Sequence, residues 1–106
     1  MVAMQEIQEL ASRIAAEFRP RRIILFGSHA YGRPSADADV DLLVVMPDGG
    51  NPLRTASEIA RRIPAPFALD LLVCDPGVLQ WRIDQQDWFL REITSQGKVL
   101  YAAADG

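Results

Sequence analysis

Apolar residues follow two different spacings in the first half of the chain. Between residues 4 and 18 they recur every three or four positions, which predicts a helix with one buried face. Residues 22–26 form a short β-branched and aromatic run that ends at Gly27. Residues 39–46 are polar at their start and wholly apolar afterwards. We interpret both runs as strands, and a strand that is apolar on both faces belongs in the middle of a sheet.

Capping signals and prolines divide the next part of the chain. Asn51 followed by Pro52 is typical of an N-cap with proline at the first helical position. The apolar stripe that follows predicts a helix, which must end before Pro64. A third strand is predicted over residues 67–74.

A second capping signal, Asp75 followed by Pro76, opens a helical segment that runs to residue 96. The apolar residues of this segment keep roughly helical spacing, with a break predicted near Asp84. Gly97 fits the end of this segment, and a final short strand is predicted over residues 98–102. The order α, β, loop, β, α, β, α, β predicts one α/β or α+β domain that takes in all 106 residues.

Composition excludes several classes of protein. No apolar run approaches the roughly 18–20 residues that span a bilayer, and the N-terminus lacks the features of a secretory signal, so we expect a cytoplasmic protein with no membrane segment. The only cysteine, Cys74, leaves no internal disulfide or cysteine-based zinc site, and His29 is the only histidine. With 11 Lys+Arg against 14 Asp+Glu, the net charge of −3 argues against direct nucleic-acid binding.

Three aspartates interrupt otherwise apolar strands. Asp39 and Asp41 are two positions apart, so on a strand both side chains point to the same face. Asp70 interrupts the third predicted strand in the same manner. Carboxylates gathered on one patch need positive charge, and Mg²⁺ takes oxygen ligands while leaving positions for phosphate oxygens. The pattern therefore suits Mg²⁺ together with a polyphosphate.

Each aspartate also has an ordinary interpretation. Asp39 could cap a turn, Asp41 could pair with Arg21 or Arg22, and Asp70 could lie at a hydrated strand edge. An Asp-x-Asp pattern by itself is common enough that these interpretations take precedence. The preceding loop changes that balance.

This loop, residues 27–32, has the sequence Gly-Ser-His-Ala-Tyr-Gly and directly follows a strand. Gly27 lets the backbone approach a ligand closely, and Ser28 offers a hydroxyl and an amide to an anion. A Gly-Ser pair alone is weak evidence. Followed after ten residues by Asp-x-Asp, with strands on both sides, it is much more specific.

Several other residues have two interpretations. His29 could touch a phosphate or base, but we expect an exposed histidine without chemistry. Tyr31 could stack on a nucleobase or pack under the loop. We expect Trp81, Trp88 and Phe89 to cap the core, with an exposed tryptophan pair as the alternative that would suit a partner protein.

Together, Gly27, Ser28, Asp39 and Asp41 resemble the signature of the nucleotidyltransferase superfamily related to DNA polymerase β. The short chain is most similar to the minimal nucleotidyltransferase branch, whose members are often antitoxins of HEPN-domain proteins. Asp70 falls where that family carries its third carboxylate. The resemblance implies the nucleotidyltransferase fold, a small mixed sheet of about four strands flanked by helices.

The same resemblance implies a mechanism and a site. Asp39, Asp41 and Asp70 are the implied catalytic residues and ligands of two Mg²⁺ ions, while Gly27 and Ser28 bind the nucleotide. The implied reaction transfers a nucleoside monophosphate to a hydroxyl, with ATP as the expected nucleotide and AMP as the group transferred.

The resemblance also implies a partner, namely a HEPN-domain toxin that carries the acceptor hydroxyl. Many members have arginine where this chain has Tyr31, and serine where it has Ala38. Loss of the arginine keeps open a non-catalytic antitoxin that acts by docking alone. Transfer to a small molecule of the aminoglycoside type is a weaker alternative. The sequence leaves open whether the chain forms a homo-oligomer.

Overall fold

Residues 2–35 and 37–104, which the computed structural model describes, form four helices and four strands. In chain order these are α1 (Met4–Phe18), β1 (Arg22–Phe26), β2 (Val40–Val45), α2 (Pro52–Arg62), β3 (Leu69–Cys74), α3 (Pro76–Asp84), α4 (Trp88–Gln96) and β4 (Lys98–Ala102). No helix in these ranges has both the length and the apolar character that crossing a membrane requires.

Local side chains fix several of the helix ends. The Asn51 side chain accepts a hydrogen bond from the backbone N–H of Arg54 at 3.1 Å, and Asp75 caps α3 in the same manner. Both caps were predicted. The predicted break near Asp84 is also present, because Gln86 takes a left-handed backbone conformation and Asp87 caps α4.

The four strands form one mixed sheet in the order β3-β2-β1-β4. Strand β1 runs antiparallel to β2 and β4, whereas β2 and β3 are parallel. The predicted mixed sheet is confirmed, with β2 in the interior. Strands β2 and β3 are shorter than predicted: β2 begins at Val40 rather than at residue 39, and β3 begins at Leu69 rather than at residue 67.

Helices cover both faces of the sheet. Helices α1 and α2 pack on one face, where the core includes Ile23 and Leu42. Helices α3 and α4 pack on the other, where the core includes Phe26, Leu43 and Val45. Because side chains alternate along a strand, Asp41 shares the α3/α4 face with Leu43 and Val45. The side chain of Asp41, at the start of β2, therefore points to the face that α3 and α4 cover.

Candidate active site

Asp41 and Asp70 are neighbours across two parallel strands. They are paired in the register of β2 with β3, directly after the Val40–Leu69 pair. Paired residues on adjacent strands point to the same face, and the strands lie about 4.8 Å apart. The structure thus brings together two of the three predicted aspartates at one end of the sheet.

Asp39 lies one residue before β2 and is exposed. Burial raises the pKa of Asp41, and the negative charges of Asp70 and Asp39 raise it further, while His29 acts in the opposite direction. Asp41 therefore interacts electrostatically with both Asp70 and Asp39. A cation placed here would relieve both the repulsion and the cost of desolvation.

The ordinary interpretations account for only part of this arrangement. Arg22 is paired with Val45 at the opposite end of β2, so it does not neutralise Asp41. Within residues 2–35 and 37–104 the one ion pair joins Arg62 to Glu17, far from the aspartates in sequence. Asp70 does lie on an edge strand and is exposed. Among the described residues, no lysine or arginine thus forms an ion pair with the acidic cluster of Asp39, Asp41 and Asp70, and His29 is the basic side chain that lowers the pKa of Asp41.

The loop that follows β1 lies against Asp41. Phe26, the last residue of β1, is paired with Asp41, and Gly27 follows with a φ of 74°. A Cβ at position 27 would overlap Oδ2 of Asp41 and would lie only 3.1 Å from its Cγ. Gly27 is therefore required both by its backbone conformation and by the closeness of the carboxylate.

Backbone hydrogen bonds shape this loop into a compact turn. The N–H groups of Ala30 and Tyr31 both donate to the carbonyl of Gly27, and the N–H of Arg33 donates to the carbonyl of Ser28. Ser28 lies at the start of this turn, directly after the Gly27 that faces Asp41. Its role in binding nucleotide stays a prediction.

His29 differs from its predicted environment. We expected an exposed side chain, but only 7% of it is exposed, and its Nε2 lies 3.2 Å from the carbonyl oxygen of Ala38. The prediction was wrong because residue spacing does not show which side chain a loop folds over. Tyr31, by contrast, is 46% exposed and does not pack under the loop.

The acidic cluster suits a cation that is shared with a ligand. In the described part of the chain, no group of three or more His, Cys, Asp or Glu side chains is placed to hold a metal ion by itself. Mg²⁺ is commonly bound by one or two carboxylates, with substrate phosphates and water completing its shell. Asp41 with one acidic neighbour fits that requirement.

Three aromatic side chains on α3 and α4 are exposed to solvent. The exposed fractions are 61% for Trp81, 85% for Trp88 and 52% for Phe89. The expectation that both tryptophans cap the core was wrong, and the alternative of an exposed tryptophan pair is confirmed. The ring of Phe89 packs edge-on against the ring of Phe26, with 5.7 Å between the two ring centroids. We call these three exposed side chains, Trp81, Trp88 and Phe89, the aromatic surface, and Phe89 is the member that contacts the strand leading into Gly27.

The structure is thus a small α+β domain whose mixed sheet carries an acidic cluster beside a glycine-serine turn. The polymerase beta nucleotidyltransferase family model matches residues 6–105. The chain belongs to this family.

Solved structures have the same fold. A protein from Sulfolobus solfataricus, whose assignment as a nucleotidyltransferase is provisional, is similar with a TM-score of 0.65 and 18% identity. The similarity covers 96% of this chain and 82% of that one. A toxin–antitoxin structure with AMP-PNP is similar with a TM-score of 0.50 and 19% identity, over 92% of this chain and 74% of that one. No curated protein matches the chain.

Proposed function

We propose that this chain is a Mg²⁺-dependent nucleotidyltransferase that transfers AMP from ATP to a hydroxyl group of a partner protein. The partner is a HEPN-domain toxin, and this chain is its antitoxin in the cytoplasm. Membership of the nucleotidyltransferase family supports the reaction class. The similarity in fold to an antitoxin complex is consistent with the partner class.

The observation that carries the proposal is the placement of Asp41. Its carboxylate lies against Gly27, beside Asp70 and near Asp39, and no lysine or arginine forms an ion pair with it among the described residues. A structural role would favour a carboxylate paired with arginine or hydrogen-bond donors. This placement instead leaves strong negative charge facing the loop predicted to hold phosphates.

Asp39, Asp41 and Asp70 are the residues that would hold Mg²⁺. When bound, Mg²⁺ neutralises phosphate charge and lowers the pKa of an acceptor hydroxyl. Gly27 leaves room for Asp41 and for close approach of the triphosphate, while Ser28 supplies a hydroxyl and an amide to its oxygens. The chain's own residues thereby orient the α-phosphorus. It forms a bond to the acceptor oxygen as the bond to pyrophosphate breaks, and the hydroxyl gives up its proton to solvent.

The aromatic surface supports a protein as the acceptor. Exposed aromatic side chains are enriched where proteins dock, and Trp88 is 85% exposed. Phe89 connects this surface to Phe26, whose neighbour Gly27 contacts Asp41. A protein bound there would lie next to the acidic cluster.

Labelled ATP tests the proposal directly. Incubation with Mg²⁺, this chain and the product of the adjacent gene should label that product. Asp39→Asn should abolish the label, whereas Asp37→Asn, an exposed loop position, should retain it. Labelling that persists unchanged in Asp39→Asn would exclude the mechanism.

A non-catalytic antitoxin is the second candidate, favoured by the exposed Tyr31 in place of the arginine that many relatives have. It predicts that a doubly substituted Asp39→Asn/Asp41→Asn chain still neutralises the toxin. Catalytic neutralisation predicts that this variant fails. Labelling of an aminoglycoside in place of the protein would instead support small-molecule transfer.

A further inference from the structure

His29 is the one buried polar side chain in residues 2–35 and 37–104. Its position between Ser28 and Ala30 puts it inside the turn that follows β1. Because 93% of its surface is covered, it is poorly placed to contact a phosphate or a nucleobase. Its contribution must come through the protein groups around it.

The hydrogen bond of His29 fixes one nitrogen as a donor. Nε2 lies 3.2 Å from the carbonyl oxygen of Ala38, and a carbonyl oxygen can only accept. Nε2 therefore carries the hydrogen. Loss of this partner would leave a buried polar group unsatisfied, which costs more than the bond itself contributes.

The carbonyl of Ala38 belongs to the peptide group that precedes Asp39. The peptide group that follows Asp39 is held as well, because the N–H of Val40 donates to the carbonyl of Ala68 at 2.9 Å. Both peptide groups on either side of Asp39 are thus anchored, one by His29 and the other by the backbone leading into β3. Together these two anchors hold the backbone from which the exposed side chain of Asp39 projects.

We infer that His29 is a positioning residue, which ties the turn after β1 to the backbone before Asp39 and thereby holds this carboxylate within reach of Asp41. The catalytic consequence rests on the proposed function, but the structural link does not. Small displacements of a reacting group reduce rates strongly, by about 100-fold for 1 Å. Loss of the link should therefore lower kcat more than it raises the KM for ATP.

Side-chain geometry provides a matched pair of variants. The amide nitrogen of glutamine is as many bonds from Cβ as Nε2 of histidine, so His29→Gln can restore the donor. In His29→Asn the amide nitrogen is one bond closer to Cβ, so it cannot reach the carbonyl of Ala38. Both variants are neutral and polar, so they differ chiefly in the reach of the donor. Ser35→Ala, at an exposed loop position, controls for general loop effects.

The first test measures the hydrogen bond of His29 and the backbone before Asp39, and it requires no AMP transfer. Nitrogen NMR of the histidine ring should show hydrogen on Nε2. Hydrogen exchange in residues 37–40 should accelerate at least about tenfold in His29→Asn, whereas His29→Gln and Ser35→Ala stay near the wild-type rate. Equal exchange in the asparagine and glutamine variants would overturn the inference.

The second test uses AMP transfer. His29→Asn should lower kcat by about 10- to 100-fold with less than about a threefold change in KM, and His29→Gln should recover most of the rate. Equal losses in both variants would overturn the positioning role. Absence of transfer by the wild-type chain would count against the proposed function alone, since the exchange and NMR measurements still decide the structural link.

Discussion

The carboxylate of Asp41 occupies the space that a side chain at position 27 would need. A Cβ on Gly27 would lie 3.1 Å from Cγ of Asp41 and would overlap its Oδ2. The backbone of Gly27 is also left-handed, with a φ of 74°. The site thus depends on glycine for two separable reasons, backbone conformation and closeness to the carboxylate.

Gly27→Ala should strongly lower the rate of nucleotidyl transfer while leaving the chain folded. The left-handed conformation should cost about 1–2 kcal/mol of stability, and the new methyl group should displace Asp41. Gly50→Ala is a matched control, because its φ is 83° and open space surrounds the position of its Cβ. Denaturant unfolding should show similar losses for both variants, whereas activity should fall at least about tenfold only in Gly27→Ala. Equal activity in the two variants would contradict this role of Asp41.

Sequence patterns predicted the fold well where local chemistry decides the structure. Helix α1 has the predicted limits because its apolar spacing begins at Met4, and Arg19 turns left-handed just before Pro20. Asn51 and Asp75 cap α2 and α3, as their residue types and the prolines that follow them predicted. The apolar run of β2 predicted an interior strand, and the order of strands confirms it.

Features that depend on distant residues could not be predicted in the same way. The burial of His29 depends on where Ala38 lies after the intervening loop, and no local spacing encodes that contact. The exposure of Trp88 was predicted only as the alternative, because a large aromatic residue on a helix usually lies in the core. In both cases tertiary packing decides which side chains are covered.

Asp41→Asn should stabilise the metal-free protein at neutral pH. Burial and the neighbouring Asp70 and Asp39 raise the pKa of Asp41 above its ordinary value of 3.8, so the folded chain binds this proton more tightly than the unfolded chain. Stability from this group is greatest at low pH and declines as the pH rises from 3.8 through the raised pKa. The advantage of the variant should therefore grow over that range and then level off.

Urea unfolding in EDTA at pH 4 and pH 7 measures this difference. Asp37→Asn, at an exposed position in the preceding loop, is the control and should show no comparable gain. A gain for Asp41→Asn that is larger at pH 4 than at pH 7 would contradict the assigned direction of the pKa shift.

Mg²⁺ with a non-hydrolysable ATP analogue should raise the melting temperature. A ligand that binds only the folded state at about 100 times its Kd adds about 2.7 kcal/mol of stability. The increase should require both components, because the acidic cluster alone has no three-ligand metal site among the described residues. Asp39→Asn/Asp41→Asn should lose it, and an equal increase in that variant would place the nucleotide elsewhere.

Gly97→Ala should destabilise the junction between α4 and β4. A Cβ at this position would lie 2.7 Å from Cγ2 of Ile24 and 2.8 Å from the carbonyl oxygen of Leu25. Both contacts are with the buried strand β1, which cannot move aside without disturbing the core. Overpacking of this kind typically costs about 1–3 kcal/mol, which urea unfolding would detect. An unchanged midpoint would show that the chain adjusts at this junction.

Trp88→Ala should weaken binding of the partner protein without weakening the fold. Trp88 is 85% exposed, and removal of so exposed a side chain usually changes stability by less than about 0.5 kcal/mol. Aromatic residues at the centre of an interface often contribute about 2 kcal/mol or more, so the Kd for the partner should rise roughly 30-fold.

Leu53→Ala is the matched control, since Leu53 is 79% exposed on α2, which packs against the opposite face of the sheet. Titration calorimetry with the product of the adjacent gene should separate the two variants. Similar affinities for both would place the partner away from the aromatic surface, even if AMP transfer itself is observed.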